Sequence, residues 1–249
     1  MFDKAGVNML RSLGVSKVFY LPLAANILQA GMVDITDDDI RKYFCEVSFV
    51  GQLYEKEYLN NLVGRLPAQY KSELDEYVDV RCCNFLGKKE YSCDLSKEFI
   101  EEALKYIDHN EENFVPKDLL VETLIGTPLM AYKERVELIN RAALRYQTSF
   151  YTGAKDTSNI KANVYPPVDS ETDAYKVYYS SKVNLNITWR GIVSGVPQRI
   201  FDIMSVGGFV LSNYQSEIEE LFDIGKDIEV FHDLKEFDEK LENYIHNDR

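Results

Sequence analysis

Residues 182–214, KVNLNITWRGIVSGVPQRIFDIMSVGGFVLSNY, limit the possible folds more than any other stretch of the chain. Residues 182–188 place β-branched and apolar side chains at alternate positions and end in polar residues, as a strand running into a loop does. Ser194 and Gly195 can cap a helix, and Pro197 falls in its first turn, where a missing N–H needs no partner. Ile200, Phe201, Ile203 and Met204 recur at helical spacing, which predicts a helix over 195–206 with one side toward a core. Gly207 and Gly208 end it, and Phe209, Val210 and Leu211 form a second, fully apolar strand. Two strands joined by one helix are most simply parallel, with a right-handed crossover. In such sheets ligands lie outside the carboxyl ends of the strands, here along the loop 189–198. Free N–H groups at a helix start, with the Arg199 guanidinium nearby, suit a diphosphate. Arg190 is a second candidate cation on the same loop.

The same alternation extends on both sides. A strand over 45–51 would end at Gly51, either a simple turn glycine or a point of close backbone approach to a ligand. Strands over 147–151, 162–165 and 228–231 and helices over 171–180, 217–222 and 234–245 continue the pattern after residue 145, and Thr152-Gly153 marks a second ligand edge. Strands alternating with helices predict an α/β fold, a Rossmann-like parallel sheet with helices on both faces. From 54 to 144 the pattern is helical almost throughout, more than one crossover requires, so a helical insertion is expected at about 68–133. Ahead of the sheet, 2–13 reads as an amphipathic helix stopped by Gly14, followed by a strand over 17–21. Asn184, Asn186 and Thr188 lie on one side of a strand otherwise made for burial, predicting a polar seam at the ligand edge or, for Asn184, a structural network. Gln215 opens a further helix start just beyond a strand end.

Composition removes several function classes. Lys plus Arg number 28 against 41 Asp plus Glu, a net charge of −13, which argues against a nucleic-acid partner. No apolar run approaches the roughly 20 residues of a membrane span, and no signal peptide follows Met1, so a cytoplasmic protein is expected. Cys45, Cys82, Cys83 and Cys93 lack paired metal-ligand spacing and read as free thiols. Thr36-Asp37-Asp38-Asp39 invites comparison with a metal–nucleotide site, but no strand runs into it. A Thr cap with acidic residues in the first turn explains it. No G-x-G-x-x-G follows the first strand, which disfavours a dinucleotide-dependent oxidoreductase.

One family fits these features. The segments 183–188 (VNLNIT) and 195–217 (GVPQRIFDIMSVGGFVLSNYQSE), with VSFVGQLY at 47–54, resemble the donor-binding half of a GT-B glycosyltransferase of the CgeB-like, spore-maturation family. The resemblance covers most of the chain and is weakest at about 68–133. It implies that 1–35 are the tail of an amino-terminal acceptor-side domain with its linker. Residues 36–249 would then be the nucleotide-sugar-binding domain. The donor, a UDP- or other NDP-sugar, would be a substrate, with no metal and no cofactor, and the acceptor is an unidentified glycan, protein or small molecule. Many retaining GT-B enzymes carry two glutamates eight positions apart. That pattern lays Asp202 at the ribose position and Ser194 at the donor-sugar position, where serine cannot supply the charge. Asp202 is alternatively a helix-face carboxylate paired with Arg199, and Arg199 its ion-pair partner. Gly195 and Arg190 would join Arg199 around the diphosphate, with Gly51, Gly153, Asn186, Ser194 and Gln215 along the donor-site edge. No catalytic base is assigned; His109, His232 and His246 read as incidental. The fragment alone is expected to be inactive for want of its acceptor domain. The competing reading is a non-catalytic nucleotide-sugar-binding or structural module in envelope or spore-coat assembly.

Overall fold

The computed structural model describes residues 1–54, 57–86, 90–109 and 114–246. Six strands form one sheet in the order β3-β2-β1-β4-β5-β6. They are β1 (Cys45–Val50), β2 (Thr148–Tyr151), β3 (Asn163–Tyr165), β4 (Ser181–Asn186), β5 (Val210–Asn213) and β6 (Glu229–Phe231), and every neighbouring pair is parallel. The fold is therefore a Rossmann-like α/β sheet. β4 lies inside it, with Val47 opposite Val183 on one side and Leu185 opposite Leu211 on the other. The chain runs outward from β1 in one direction and from β4 in the other, so strand order reverses between these two, the crevice where open sheets bind ligands.

The pleat divides the core in two. Val47, Phe49, Val183, Leu185, Ile187, Leu211 and Phe231 face one layer, packed against Leu138 and Ile139 of helix α8 (Thr127–Ala143) and Phe237, Leu241 and Ile245 of α12 (Leu234–His246). On the opposite face, Val210 and Val230 meet Ala174 and Tyr178 of α9 (Asp173–Ser180) and Ile200 and Ile203 of α10 (Gln198–Ser205). Ser48, Asn184, Asn186 and Ser212 also point to this second face, buried as a polar seam. Buried amides and hydroxyls require partners. Ser48 donates to Asn184 at 2.6 Å, and the Asn184 amide donates to the Tyr178 carbonyl at 2.9 Å. Asn186 donates to Ser212 at 2.8 Å and Thr188 at 3.0 Å. Asn184 is thus structural; Asn186 keeps its oxygen for another partner.

Between β1 and β2 the chain is helical: α4 (Glu57–Arg65), α5 (Ala68–Arg81), α6 (Lys97–Leu104) and α7 (Lys117–Val121) precede α8, with one π turn at Glu122–Gly126. These helices bury Leu62, Leu74, Tyr77, Phe99, Val121 and Ile125 in a core separate from the sheet's own, so the insertion carries its own hydrophobic drive. Ser96 caps α6 through the Phe99 amide at 3.0 Å. Thr36 and Asp39 form a reciprocal capping box on α3 (Asp37–Tyr43), and Asp39 also takes the Lys176 ammonium at 3.1 Å. The acidic run is a helix start.

Two expectations fail locally. Residues 17–21 form no strand. The segment is irregular, with a bend at Lys17, and is tied to the chain start by the Leu21 amide donating to the Met1 carbonyl at 2.9 Å; among the described residues no strand pairs with it. The helix after β4 begins at Gln198 with Pro197 as its cap residue, three residues later than Gly195. The reason is that Ser194, the expected cap, is bonded elsewhere.

Candidate functional site

Arg199 leaves the first turn of α10 and crosses the carboxyl edge of the sheet at the reversal point. Asn186 holds it there, accepting from Nη1 at 3.1 Å with the oxygen left over from the polar seam. The guanidinium lies over Phe49, 4.9 Å from the ring centroid. Gly51 makes this possible. A Cβ at that position would stand 2.8 Å from Arg199 Nη2 and 3.1 Å from the Phe49 ring. What approaches Gly51 closely is the protein's own arginine.

Arg199 makes no ion pair with Asp202 or any other carboxylate among the described residues. Asp202, one turn along the half-exposed face of α10, instead accepts from the Gln198 amide at 2.8 Å. Burial pushes the Asp202 carboxyl up from its ordinary range, against the Gln198 hydrogen bond and the charge of Arg199. A carboxylate with one oxygen uncommitted and a guanidinium without a counter-charge thus share the start of one helix.

A second arginine, which the sequence reading missed, reaches the same place from the other face. Arg135 of α8 is 3% exposed. Its Nη1 donates to the Gln52 carbonyl and its Nη2 to the Ile187 carbonyl at 3.2 Å, clamping together the chain beyond β1 and beyond β4. It lies 4.3 Å from the Tyr54 ring centroid and 5.5 Å from that of Phe49. Tyr54, at φ +59°, stacks in turn on Trp189 at 5.5 Å. Burial and the adjacent Arg199 bring the Arg135 pKa down to about 10, which leaves it charged at neutral pH. Its Nε, like the Trp189 indole nitrogen, is buried without a hydrogen-bond partner. No local pattern announces this residue; it is one arginine among the charged positions of an amphipathic helix.

The loop 189–198 is built differently from expectation, and three of its residues are corrected. Arg190 does not face the diphosphate edge. Its Nε donates to both oxygens of the fully buried Glu134 at 2.8 and 3.1 Å, and its Nη2 donates to the carbonyls of Arg81 and Asn84 at 3.0 and 2.9 Å. This counter-charge stabilises the largely buried Arg190, so its role is to pin the loop to the helical insertion. Ser194 is buried between two carboxylates: its hydroxyl meets Asp3 at 2.7 Å and Glu217 at 2.6 Å, and the Ala5 amide donates to it at 3.0 Å. Gly195 is covered, with the Phe2 carbonyl 2.7 Å and the Asp3 Cα 3.1 Å from where its Cβ would be. Two of the loop's N–H groups are taken as well, since Val193 and Ser194 donate to the Asp3 carboxylate at 2.7 and 3.4 Å. Asp3, the cap residue of helix α1 (Lys4–Ser12), thus fills part of the predicted anion seat with its own carboxylate.

Glu217, the last residue of the quoted motif and given no site role from the sequence, is 1% exposed beside Ser194, with Oε2 buried and unpartnered. Gln215 is likewise buried and donates to the Ile192 carbonyl at 3.3 Å. Gly153 lies at the carboxyl end of β2, 3.6 Å (from its would-be Cβ) to the Gln52 amide. Of the expected edge, Gly51, Asn186, Arg199 and Asp202 come together, Gly153 flanks them, and Arg190, Ser194, Gly195 and Gln215 belong to the packed loop. All four cysteines are free, and no group of three metal-ligating side chains occurs among the described residues.

Comparison with known proteins bears on the carboxyl-terminal half. Residues 129–249, from the start of α8 onward, match the model of a family described as glycosyl transferase-like. This makes residues 129–249, just under half of the chain, similar to glycosyl transferase-like proteins. Neither the curated proteins nor the solved structures give a significant match. No helix among the described residues is long and apolar enough to cross a membrane.

Proposed function

We propose, on the premise that residues 129–249 have a glycosyltransferase-like family's sequence, that this chain binds the nucleotide-sugar donor of a GT-B glycosyltransferase of the CgeB-like kind. The observation that carries the reading is Arg199, held over Phe49 at the strand-order reversal, unpaired with any carboxylate among the described residues and one helical turn from Asp202. In glycosyl transfer the departing nucleoside diphosphate gains negative charge as the glycosidic bond breaks, and a fixed guanidinium stabilises that charge without having to reorganise. Arg199 would take the diphosphate and Asp202 the ribose hydroxyls, which a carboxylate can accept in pairs. The amino-terminal segment fits an acceptor-side partner domain. Phe19, Leu21, Ile27, Leu28 and Met32 are each more than 70% exposed, a run of apolar side chains that a second domain would cover.

Calorimetry on two substitutions tests this. Arg199→Ala should weaken a nucleoside diphosphate by about 1.5–3 kcal/mol, the worth of a hydrogen bond to a charged group, and leave nucleoside affinity nearly unchanged. Asp202→Asn should weaken both ligands alike, since both keep the ribose. Equal diphosphate affinity for wild type and Arg199→Ala would sink the assignment.

A second reading, donor binding without transfer, is favoured by one observation. The position laid against a catalytic-site glutamate is Ser194, already committed to Asp3 and Glu217. Release of free sugar or its transfer from a nucleotide-sugar by the full-length protein would exclude it.

A further inference from the structure

Arg135 is an anomaly as a structural residue. A buried arginine normally has a carboxylate, as Arg190 has Glu134. Arg135 is more deeply buried, yet its partners are two carbonyls and aromatic rings, and the positive charge of Arg199 acts on it. Two guanidiniums therefore share the Phe49 ring, one from each face of the sheet, with no carboxylate bonded to either among the described residues. Ring faces attract cations but do not neutralise them. Two like charges in a desolvated setting repel strongly, and the arrangement is relieved when an anion joins them.

We infer that Arg135 is the second cation of the donor site: Arg199 contacts a polyvalent phosphate directly, while Arg135 supplies the second positive charge from behind and positions residues 51–54. The inference rests on the donor reading for the identity of the ligand, but not for the existence of the site. It also explains why Arg135 is tied to Gln52 and Ile187. The carbonyls it holds belong to the segments leaving β1 and β4, so the residue that adds charge also fixes the two walls of the crevice. A diphosphate spreads its charge over two phosphoryl groups and can respond to two separated cations, whereas a monoester concentrates about the same charge on one, so discrimination between the two should depend on Arg135.

Inorganic pyrophosphate, which has no nucleoside, is the probe, with orthophosphate as its comparison, in calorimetry and thermal shift on the full chain. Wild type should bind pyrophosphate more tightly than orthophosphate and be stabilised by it. Arg135→Met should lose about tenfold or more in pyrophosphate affinity, through the loss of one nearby positive charge in a desolvated setting, and most of the preference over orthophosphate. Arg135→Lys keeps the charge but cannot span two carbonyls, and should retain affinity within a few-fold of wild type. Arg199→Met, on a partly buried side chain, should leave weak but measurable pyrophosphate binding, because Arg135 stays. If Arg135→Lys is as impaired as Arg135→Met, or Arg199→Met abolishes pyrophosphate binding entirely, Arg135 is only a backbone clamp and the inference falls. Should Arg135→Met not fold, the lysine and Arg199 variants decide alone. Pyrophosphate binding without any response to nucleoside diphosphates would keep this site and defeat the donor reading instead.

Discussion

A methyl group at residue 51 would collide with Arg199 Nη2 and the Phe49 ring, and the two neighbours differ in what they can yield. The guanidinium is the free end of a flexible side chain; Phe49 is fully buried and stacked on Phe150 at 5.5 Å. Gly51→Ala should therefore displace Arg199 and leave the core in place. We expect about 1 kcal/mol or less of lost stability, in line with a small steric adjustment. Nucleoside diphosphate affinity should fall by nearly as much as in Arg199→Ala. Urea unfolding and calorimetry on one preparation check both, and a variant that loses stability but keeps affinity would show that the glycine serves the turn and not the arginine.

At the scale of elements, α8 organises the site through two consecutive residues. Glu134 holds Arg190 and, through its Oε1, the Cys83 amide at 3.1 Å; Arg135 holds the segments leaving β1 and β4. One helix thus fastens the loop 189–192, the end of α5 and the sheet edge. Glu134→Gln would leave Arg190 buried without its counter-charge, a change that costs about 3–5 kcal/mol. Adding Arg190→Met should recover part of that loss, and a double-mutant cycle in urea measures it. Fully additive losses would mean that the two residues act separately. These long-range partners also mark what was legible in the sequence. The alternation of strands and helices after residue 145 was readable because strand and helix periods are local, and so were the Thr36 and Ser96 caps. Arg190 was misplaced because its partner lies 56 residues away, and Arg135 went unseen because two backbone carbonyls leave no trace in side-chain pattern. The run 17–21 has a strand's composition, but strand structure also requires a neighbour, which composition cannot supply.

On the scale of the whole molecule, the question is where an anion goes when two seats are available. The loop amides of Val193 and Ser194 are one seat, and Asp3 occupies it, joined by the Gly6 amide at 3.1 Å and the Tyr91 hydroxyl at 3.4 Å. Arg199 is the other. Asp3 thereby couples the amino-terminal segment to the sheet, helped by the Lys4 amide donating to Glu217 at 2.7 Å. Asp3→Ala removes the internal anion without touching Arg199. It should cost about 1–3 kcal/mol, the penalty for buried donors left unsatisfied, and hydrogen exchange should quicken in α1 and residues 191–196 while β4 stays protected. Nucleoside diphosphate affinity should stay within about twofold of wild type, under 0.5 kcal/mol, because the arginine seat is unchanged. Marked tightening would mean that Asp3 competes with the ligand for the amides of Val193 and Ser194. The diphosphate would then belong to the loop that the sequence first suggested, with α1 as the element that must move aside to admit it.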